Sequence, residues 1–233
     1  MTNQSPRRAI QAVTFDVGGT LIECWPSVGH IYAEEAVRHG FCQISPDLLN
    51  HRFGAVWQAL KGFRHTRSEW AAVVDATFQG LTPTPPSKTF FPSLFERFAE
   101  AEAWRIYEDV LPSLDALSSR GLKLGIISNW DERLRRLLHQ LKLDNYFQSI
   151  VVSCEVNSPK PDRLIFLEAA SNLQVSPQTV LHIGDSLEFD IHGAKAAGFQ
   201  ALQICRGNSI PKHGEIHSLI ELVSGDALPV QRR

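Results

Sequence analysis

The sequence predicts an α/β protein, a doubly wound parallel sheet with a helical insertion after its first strand. Three observations point there. Short apolar runs recur in residues 10–22 and roughly 108–206, namely AVTFD, LKLGIIS, SIVVS, TVLHIGD and QALQIC. Each is bounded by turn residues and rich in β-branched residues or leucine, as strands buried on both faces are. Helix-like amphipathic segments separate these runs, and the β-α-β-α alternation implies parallel strands. Residues 24–105, by contrast, read as one helix after another.

Punctuation sets the elements of the sheet region. LPSLDALSSRG stops at Gly121, DERLRRLLHQLKL has Asp131 as its expected N-cap, KPDRLIFLEAASNL carries Pro161 near its start, and FDIHGAKAAG stops at Gly198. In the insertion, Ser27 opens a helix that reaches His39 and stops at Gly40. Ser45-Pro46 opens a second, through about Lys61, and Ser68 opens a third that stops at Gly80. LTPTPPSKTFFP reads as a proline-rich loop and SLFERFAEAEA as a fourth helix. The chain is therefore expected to divide into an α/β core at 10–23 and 108–224, a helical cap at 24–107 and a tail at 225–233 (SGDALPVQRR is expected to fray). A helical insertion at this point suggests a cap over the strand ends.

The 233 residues suffice for a buried core. A net charge of −2, from 23 Lys and Arg against 25 Asp and Glu, gives no electrostatic footprint for nucleic acid or an anionic membrane. The four cysteines, Cys24, Cys42, Cys154 and Cys205, are widely spaced and read as thiols in a reducing compartment. MTNQSPRRAI lacks the apolar run of a signal peptide, and no stretch is long and apolar enough to span a bilayer. The expectation is a cytoplasmic protein, monomer or homodimer, with a small-molecule partner.

The chemistry gathers at strand ends. AVTFDVGGTLI ends a buried strand on Asp16 and turns on Gly18 and Gly19 into Thr20. Ligands of open α/β sheets bind at the carboxyl ends of strands, and glycine N–H groups there can cradle an anion. Asp16 is the candidate nucleophile. Ser128 and Asn129 end LKLGIIS, placed to hold a phosphoryl oxygen. Lys160 lies in NSPKPD, between prolines that stiffen its loop. Asp185 ends TVLHIGD and Asp190 follows on the turn into the next helix. Carboxylates from two strand ends suit Mg²⁺, while Lys160 and the Gly19 and Thr20 backbone can neutralise charge on a transferred group. Each residue alone has an ordinary structural use, as a cap, a turn or a surface charge. All of them on successive strand ends, in this order, point to one site.

These motifs resemble those of the haloacid dehalogenase superfamily, across nearly the whole chain. FDVGGTL resembles the first motif with Asp16 as nucleophile, and IISN the second with Ser128 binding phosphate. SPKPD is similar to the third with Lys160, and GDSLEFD to the fourth with Asp185 and Asp190 at the metal site. The resemblance implies a Rossmann-like core, a cap of the C1, subfamily I type, and Mg²⁺ held by Asp16, Asp185, Asp190 and the carbonyl of Gly18. It implies a phosphatase acting on a small phosphorylated metabolite through an aspartyl-phosphate, with Asp16 and Lys160 catalytic and Gly19, Thr20, Ser128, Asn129 and Lys160 on the phosphate.

One position departs from the pattern. Phosphatases of this family read Asp-x-Asp-x-Thr, and their second aspartate protonates the leaving alcohol and then activates water. Here that residue is Gly18. The loss of general acid–base help is worth about 10²–10⁴-fold. Glu23, His30, Tyr32 and Glu34 are the nearest candidates to stand in, and an acyl phosphate needs less acid help. The departure also opens other readings: a phosphate-binding pseudoenzyme or regulatory module, a 2-haloacid dehalogenase, or a phosphonatase-like enzyme using Lys61 or Lys88. The Gly-Asp pair of GDSLEFD argues against a metal-free dehalogenase. In the insertion, FRHTR at 63–67 reads as a solvated loop or a basic rim. Trp57 and Trp70 read as core residues rather than substrate platforms, and Trp25, which follows the catalytic turn closely, as a candidate roof over the site.

Overall fold

The computed structural model describes residues 9–41, 44–207 and 214–224. In chain order the elements are β1 (Ala12–Phe15), β2 (Ile22–Cys24), α1 (Val28–Arg38), α2 (Pro46–Ala59), α3 (Arg67–Thr77), α4 (Phe91–Arg97), β3 (Trp104–Ile106), α5 (Val110–Ser119), β4 (Lys123–Ser128), α6 (Arg133–Gln140), β5 (Ser149–Val152), α7 (Ser153–Val156), α8 (Arg163–Asn172), β6 (Val180–Gly184), a π-helical turn at Leu187–His192, α9 (Gly193–Ala196), β7 (Gln200–Ile204), β8 (Glu215–Ile216) and α10 (Ile220–Ser224).

The chain forms two compact units. One comprises Met1–Leu21, Ile106–Asn129 and Leu143–Arg233, and the other Ile22–Arg105 and Trp130–Lys142. The first unit holds a six-stranded sheet in the order β5-β4-β1-β6-β7-β8, and every one of its pairings is parallel. The sequence-predicted doubly wound parallel sheet is therefore the observed one. β1 sits between β4 and β6, so all four of its residues are buried, which is why AVTF contains no residue that needs solvent. Helix α8 lays the stripe Ile165, Phe166, Ala169 and Ala170 onto a core shared with Ala12, Ile127, Val151, Val180 and Phe199. That stripe repeats at helical spacing, and each large apolar side chain fully buried there contributes about 1.5–3 kcal/mol.

The second unit has its own core, built from Ile31, Tyr32, Leu49, Val74, Phe78, Phe90, Leu94 and Phe95. Tyr32 stacks on Phe78 and meets Phe53 and Phe98 edge-on. The segment that carries α6 is tied into this unit by a buried ion pair. Arg133 Nε and Nη2 donate to the two carboxylate oxygens of Asp131 at 2.7 and 2.6 Å, and its guanidinium lies 3.5 Å from the Phe95 ring centroid. Trp70 Nε1 donates to Asp131 Oδ2 at 3.0 Å.

Several local expectations change. The insertion was read as wholly helical, yet β2 and β3 pair in a two-stranded sheet at its ends. Strands of three residues are too short to show an alternating pattern. β8 escaped notice for the same reason. Helix α3 is capped by Thr66 in a reciprocal capping box with Glu69, not by Ser68. Asp131 does not cap α6 as its N-cap residue, because its carboxylate is spent on Arg133. FDIHGAKAAG begins as a π-helical turn and only then becomes α9. The fourth helix starts at Phe91, inside the segment read as loop. Cys24, Cys154 and Cys205 carry thiols, while Cys42, the first eight residues and the tail at 225–233 lie outside the described residues. Among the described residues, no helix is long and apolar enough to cross a membrane.

Candidate active site

The site is built on the ends of three neighbouring strands in the first unit. Asp16 directly follows β1, and its N–H donates to Ile183 O at 2.9 Å, so the ladder with β6 runs up to the carboxylate. Ser128 is the last residue of β4, and its Oγ donates to Asp16 Oδ1 at 3.0 Å. Lys160 Nζ donates to the same oxygen at 2.6 Å and to Asp190 Oδ1 at 2.5 Å. Asp16, Ser128, Lys160 and Asp190 are all buried.

Glycines make the close approaches possible. Gly19 has φ 72°, and a Cβ there would stand 2.7 Å from Asp185 Oδ2. At Gly184 a Cβ would stand 2.2 Å from Asp190 Cγ, so the strand can lie against that carboxylate only with no side chain. The sequence reading valued Gly184 only as part of a Gly-Asp pair. In the structure its role is space.

Asn129 ties the Lys160 loop to the end of β4. Its Nδ2 donates to Lys160 O at 3.0 Å, and its Oδ1 accepts from Lys160 N at 2.7 Å. The amide thus pins the backbone of the Lys160 loop. Thr20 is fully buried, and its Oγ1 has no hydrogen-bond partner. An orphaned buried hydroxyl beside these groups suits a ligand oxygen. The loop that carries it is also held from behind: Arg206 Nη2 donates to Thr20 O at 2.6 Å while Nη1 donates to both oxygens of Asp109.

Charge in this pocket is tightly coupled. Burial pushes the Asp16 carboxyl above the usual carboxylate range, and Asp190 adds to this while Lys160 opposes it. Burial works against the Lys160 ammonium, but the carboxylates of Asp16 and Asp190 outweigh it and hold the amine charged above its ordinary value. Asp190 goes the other way: burial opposes its charge, and Lys160 and His182 more than offset this, holding it well below the usual range. Asp185 keeps an exposed face at the rim of the site. Crowding by the surrounding protein, then the charges of Asp16 and Asp190, push its carboxyl up to about 7.

One carboxylate oxygen each from Asp16, Asp185 and Asp190 falls within 4.8 Å of the other two. An all-oxygen donor set of this size, with a single lysine among three carboxylates, fits a hard divalent cation such as Mg²⁺. A cation needs Asp185 deprotonated, and an acid with a raised pKa binds its proton below that value. Affinity for Mn²⁺ as a Mg²⁺ probe should therefore fall as pH drops below about 7, by up to tenfold per unit, and level off above it. Mn²⁺ titrations followed by electron paramagnetic resonance from pH 5.5 to 8.5 check this. A flat profile would remove Asp185 from the cation site.

His182 was missed by the sequence reading. Its Nε2 lies 3.2 Å from Asp190 Oδ1, its Nδ1 lies 3.0 Å from Thr14 Oγ1, and it is fully buried. A histidine inside an apolar strand reads as a core residue. The available signal was period two: His182 and Gly184 share a face, and Gly184 is packed against Asp190.

A family model for haloacid dehalogenase-like hydrolases matches residues 10–198. The chain belongs to the haloacid dehalogenase-like hydrolases. The mouse protein "Haloacid dehalogenase-like hydrolase domain-containing protein 3" is 31% identical to this hydrolase, over 93% of the chain and 94% of its own length. A "Glyceraldehyde 3-phosphate phosphatase" of Methanopyrus kandleri is 36% identical over 107 residues, 43% of this hydrolase and 44% of that enzyme. Among solved structures, a HAD phosphatase from Thermococcus onnurineus is 28% identical, with a TM-score of 0.65, over 91% of this hydrolase and 96% of its own chain.

The proposed stand-ins for an acid at position 18 are each engaged within the second unit. Glu23 accepts from Arg105 Nε at 2.9 Å, His30 Nδ1 meets Ser27 Oγ at 2.8 Å, and Glu34 accepts from Arg97 Nη2 at 2.5 Å. Tyr32 is buried in the aromatic core, and burial raises its hydroxyl pKa. Trp57 and Trp70 stack on one another, Trp57 with 42% of its surface exposed, and Trp25 lies under the Arg105 guanidinium. Lys61 and Lys88 are exposed.

Proposed function

We propose that this hydrolase is a Mg²⁺-dependent phosphohydrolase acting on small phosphorylated metabolites, with a preference for substrates whose leaving group needs no proton. The observation that carries this reading is the joining of Asp16, Ser128, Lys160 and Asp190 by hydrogen bonds at adjacent strand ends, in a loop whose position 18 is glycine. The similarity to the Methanopyrus and Thermococcus proteins, both named as phosphatases, supports it. The cation would be held by Asp16, Asp185 and Asp190, with the Gly18 carbonyl, and its chemistry is to neutralise phosphoryl charge. We further read 24–107 as the cap of a C1-type enzyme, with 130–142 belonging to the same compact unit, and 10–23 with the remainder of 108–224 as its core.

In this mechanism an Asp16 carboxylate oxygen attacks phosphorus in line. The P–O bond to the leaving group breaks and its electron pair leaves on that oxygen. Ser128, Lys160 and the Gly19 and Thr20 N–H groups take the phosphoryl oxygens, so developing charge meets donors already in place. Water then attacks the aspartyl-phosphate at phosphorus, inorganic phosphate leaves, and the Asp16 carboxylate returns. With no carboxylate at position 18, an alkoxide leaves unprotonated, whereas an acyl phosphate releases a stable carboxylate.

The test is Mg²⁺-dependent hydrolysis of acetyl phosphate beside ethyl phosphate and a graded series of aryl phosphates. The expected result is a kcat/KM that rises steeply with leaving-group acidity, with acetyl phosphate exceeding ethyl phosphate by about 10²–10⁴-fold. A flat dependence would mean that another group supplies the proton. Gly18 also favours a second reading, a phosphate-binding module without turnover. Binding of vanadate with Mg²⁺ but hydrolysis of no ester would establish that one instead.

A further inference from the structure

A row of three residues crosses the sheet just behind the site. In the registers of β1 with β4 and β6, Thr14 lies opposite Gly125 on one side and His182 on the other. Gly125 leaves room for the threonine, since a Cβ there would stand 3.3 Å from Thr14 Cγ2. The threonine hydroxyl turns to the imidazole, Oγ1 to Nδ1 at 3.0 Å, and the opposite ring nitrogen reaches Asp190 Oδ1. Phe166 stands edge-on to the ring, with centroids 5.2 Å apart and an interplanar angle of 88°, and holds its plane.

Chemistry fixes the protons along this row. An ionised carboxylate only accepts, so Nε2 carries the hydrogen. A neutral imidazole then has a bare Nδ1, which accepts the Thr14 O–H. Asp190 Oδ1 thus receives two donors, Lys160 Nζ and His182 Nε2, while Oδ2 accepts from the Ser186 N–H at 3.0 Å. The two in-plane lone pairs of Oδ1 are filled, and Oδ2 keeps one.

We propose that Thr14 and His182 form a positioning relay that fixes the rotation of the Asp190 carboxylate, so that Oδ2 is the oxygen it presents to a divalent cation while Oδ1 anchors Lys160. The inference rests on Asp190 belonging to the cation site, as read above. Neither relay residue touches substrate. Both act through Asp190, and groups that orient a ligand in this way are typically worth about 10–100-fold in metal affinity or activity.

The experiment compares wild type with His182→Gln, His182→Phe and Thr14→Val by three readouts. Nitrogen-15 imidazole spectra of the metal-free protein should show the His182 hydrogen on Nε2 in wild type, with the Nδ1 resonance shifted in Thr14→Val, where that nitrogen loses its hydrogen-bond donor. Mn²⁺ titrations should show a loss of about 10–100-fold in His182→Phe, largely recovered in His182→Gln, whose amide can donate in place of Nε2–H. Acetyl phosphate kinetics should show the Phe variant losing kcat at saturating metal, with KM little changed.

An Nδ1–H tautomer in wild type overturns the relay. Unchanged Mn²⁺ affinity in His182→Phe overturns it too, as does a Gln variant as impaired as Phe with an intact circular dichroism melt. If His182→Phe does not fold, the wild-type tautomer and the Gln variant still decide. If wild type hydrolyses no ester, the phosphohydrolase reading falls, and the spectra and Mn²⁺ affinities judge the relay by themselves.

Discussion

Asp16→Asn is expected to abolish hydrolysis of acetyl phosphate, on the order of 10⁴- to 10⁶-fold, with the thermal melt nearly unchanged. The substitution keeps the shape of the side chain. The amide oxygen still accepts from Ser128 and Lys160 where Asp16 Oδ1 now does. What disappears is the anionic oxygen that forms the bond to phosphorus, and an amide is no substitute for it. One of the three carboxylate donors for a cation is lost as well, so weaker Mn²⁺ binding should accompany the loss of turnover. The check is single-turnover hydrolysis at saturating Mg²⁺ beside a melt. A variant that keeps a tenth of wild-type activity would remove Asp16 from the nucleophile's role.

Gly18→Asp is expected to do the opposite for one class of substrate, raising kcat/KM on ethyl phosphate by about 10²–10⁴-fold while leaving kcat/KM on acetyl phosphate within a few-fold, since water activation follows the step that kcat/KM reports. Gly18 is half-buried, and the left-handed step of the turn falls on Gly19. Gly19→Asp is the matched control. Its φ of 72° and the 2.7 Å approach of its Cβ to Asp185 Oδ2 make the same substitution one residue later destructive. If Gly18→Asp gains nothing on ethyl phosphate while acetyl phosphate hydrolysis persists, the slow step in the wild type is not leaving-group protonation.

Much of this molecule could be read from its sequence because the relevant signals are local. Buried parallel strands such as AVTF and KLGIIS announce themselves as apolar runs, and Asp16, Ser128 and Asp185 were found because each closes such a run. Lys160 was found from the prolines around it. What stayed hidden depends on distance across the sheet. The tie of Asn129 to the Lys160 backbone joins residues 31 apart, and that of Thr14 to His182 joins residues 168 apart. Neither leaves a pattern along the chain. β2 and β3, at three residues each, are defined by pairing rather than by composition. The π-helical turn after Asp185 was unreadable for a related reason. It serves to bring Asp190 back under Gly184, and that requirement is tertiary.

The tie between Asp131, Arg133, Trp70 and Phe95 bears on how such proteins can be recombined. The second unit is discontinuous along the chain, with 22–105 and 130–142 lying on either side of α5 and β4. Excising only the long insertion, or grafting it from a relative, would strand a buried guanidinium and carboxylate without the indole and the Phe95 carbonyl that receive them. Leaving a buried donor or acceptor without its partner typically costs about 1–3 kcal/mol, and more for a charged group, a large share of a domain's stability. Chimeras of this hydrolase therefore have to exchange both segments together, and the short one behaves as part of the cassette although it follows the second motif directly in sequence.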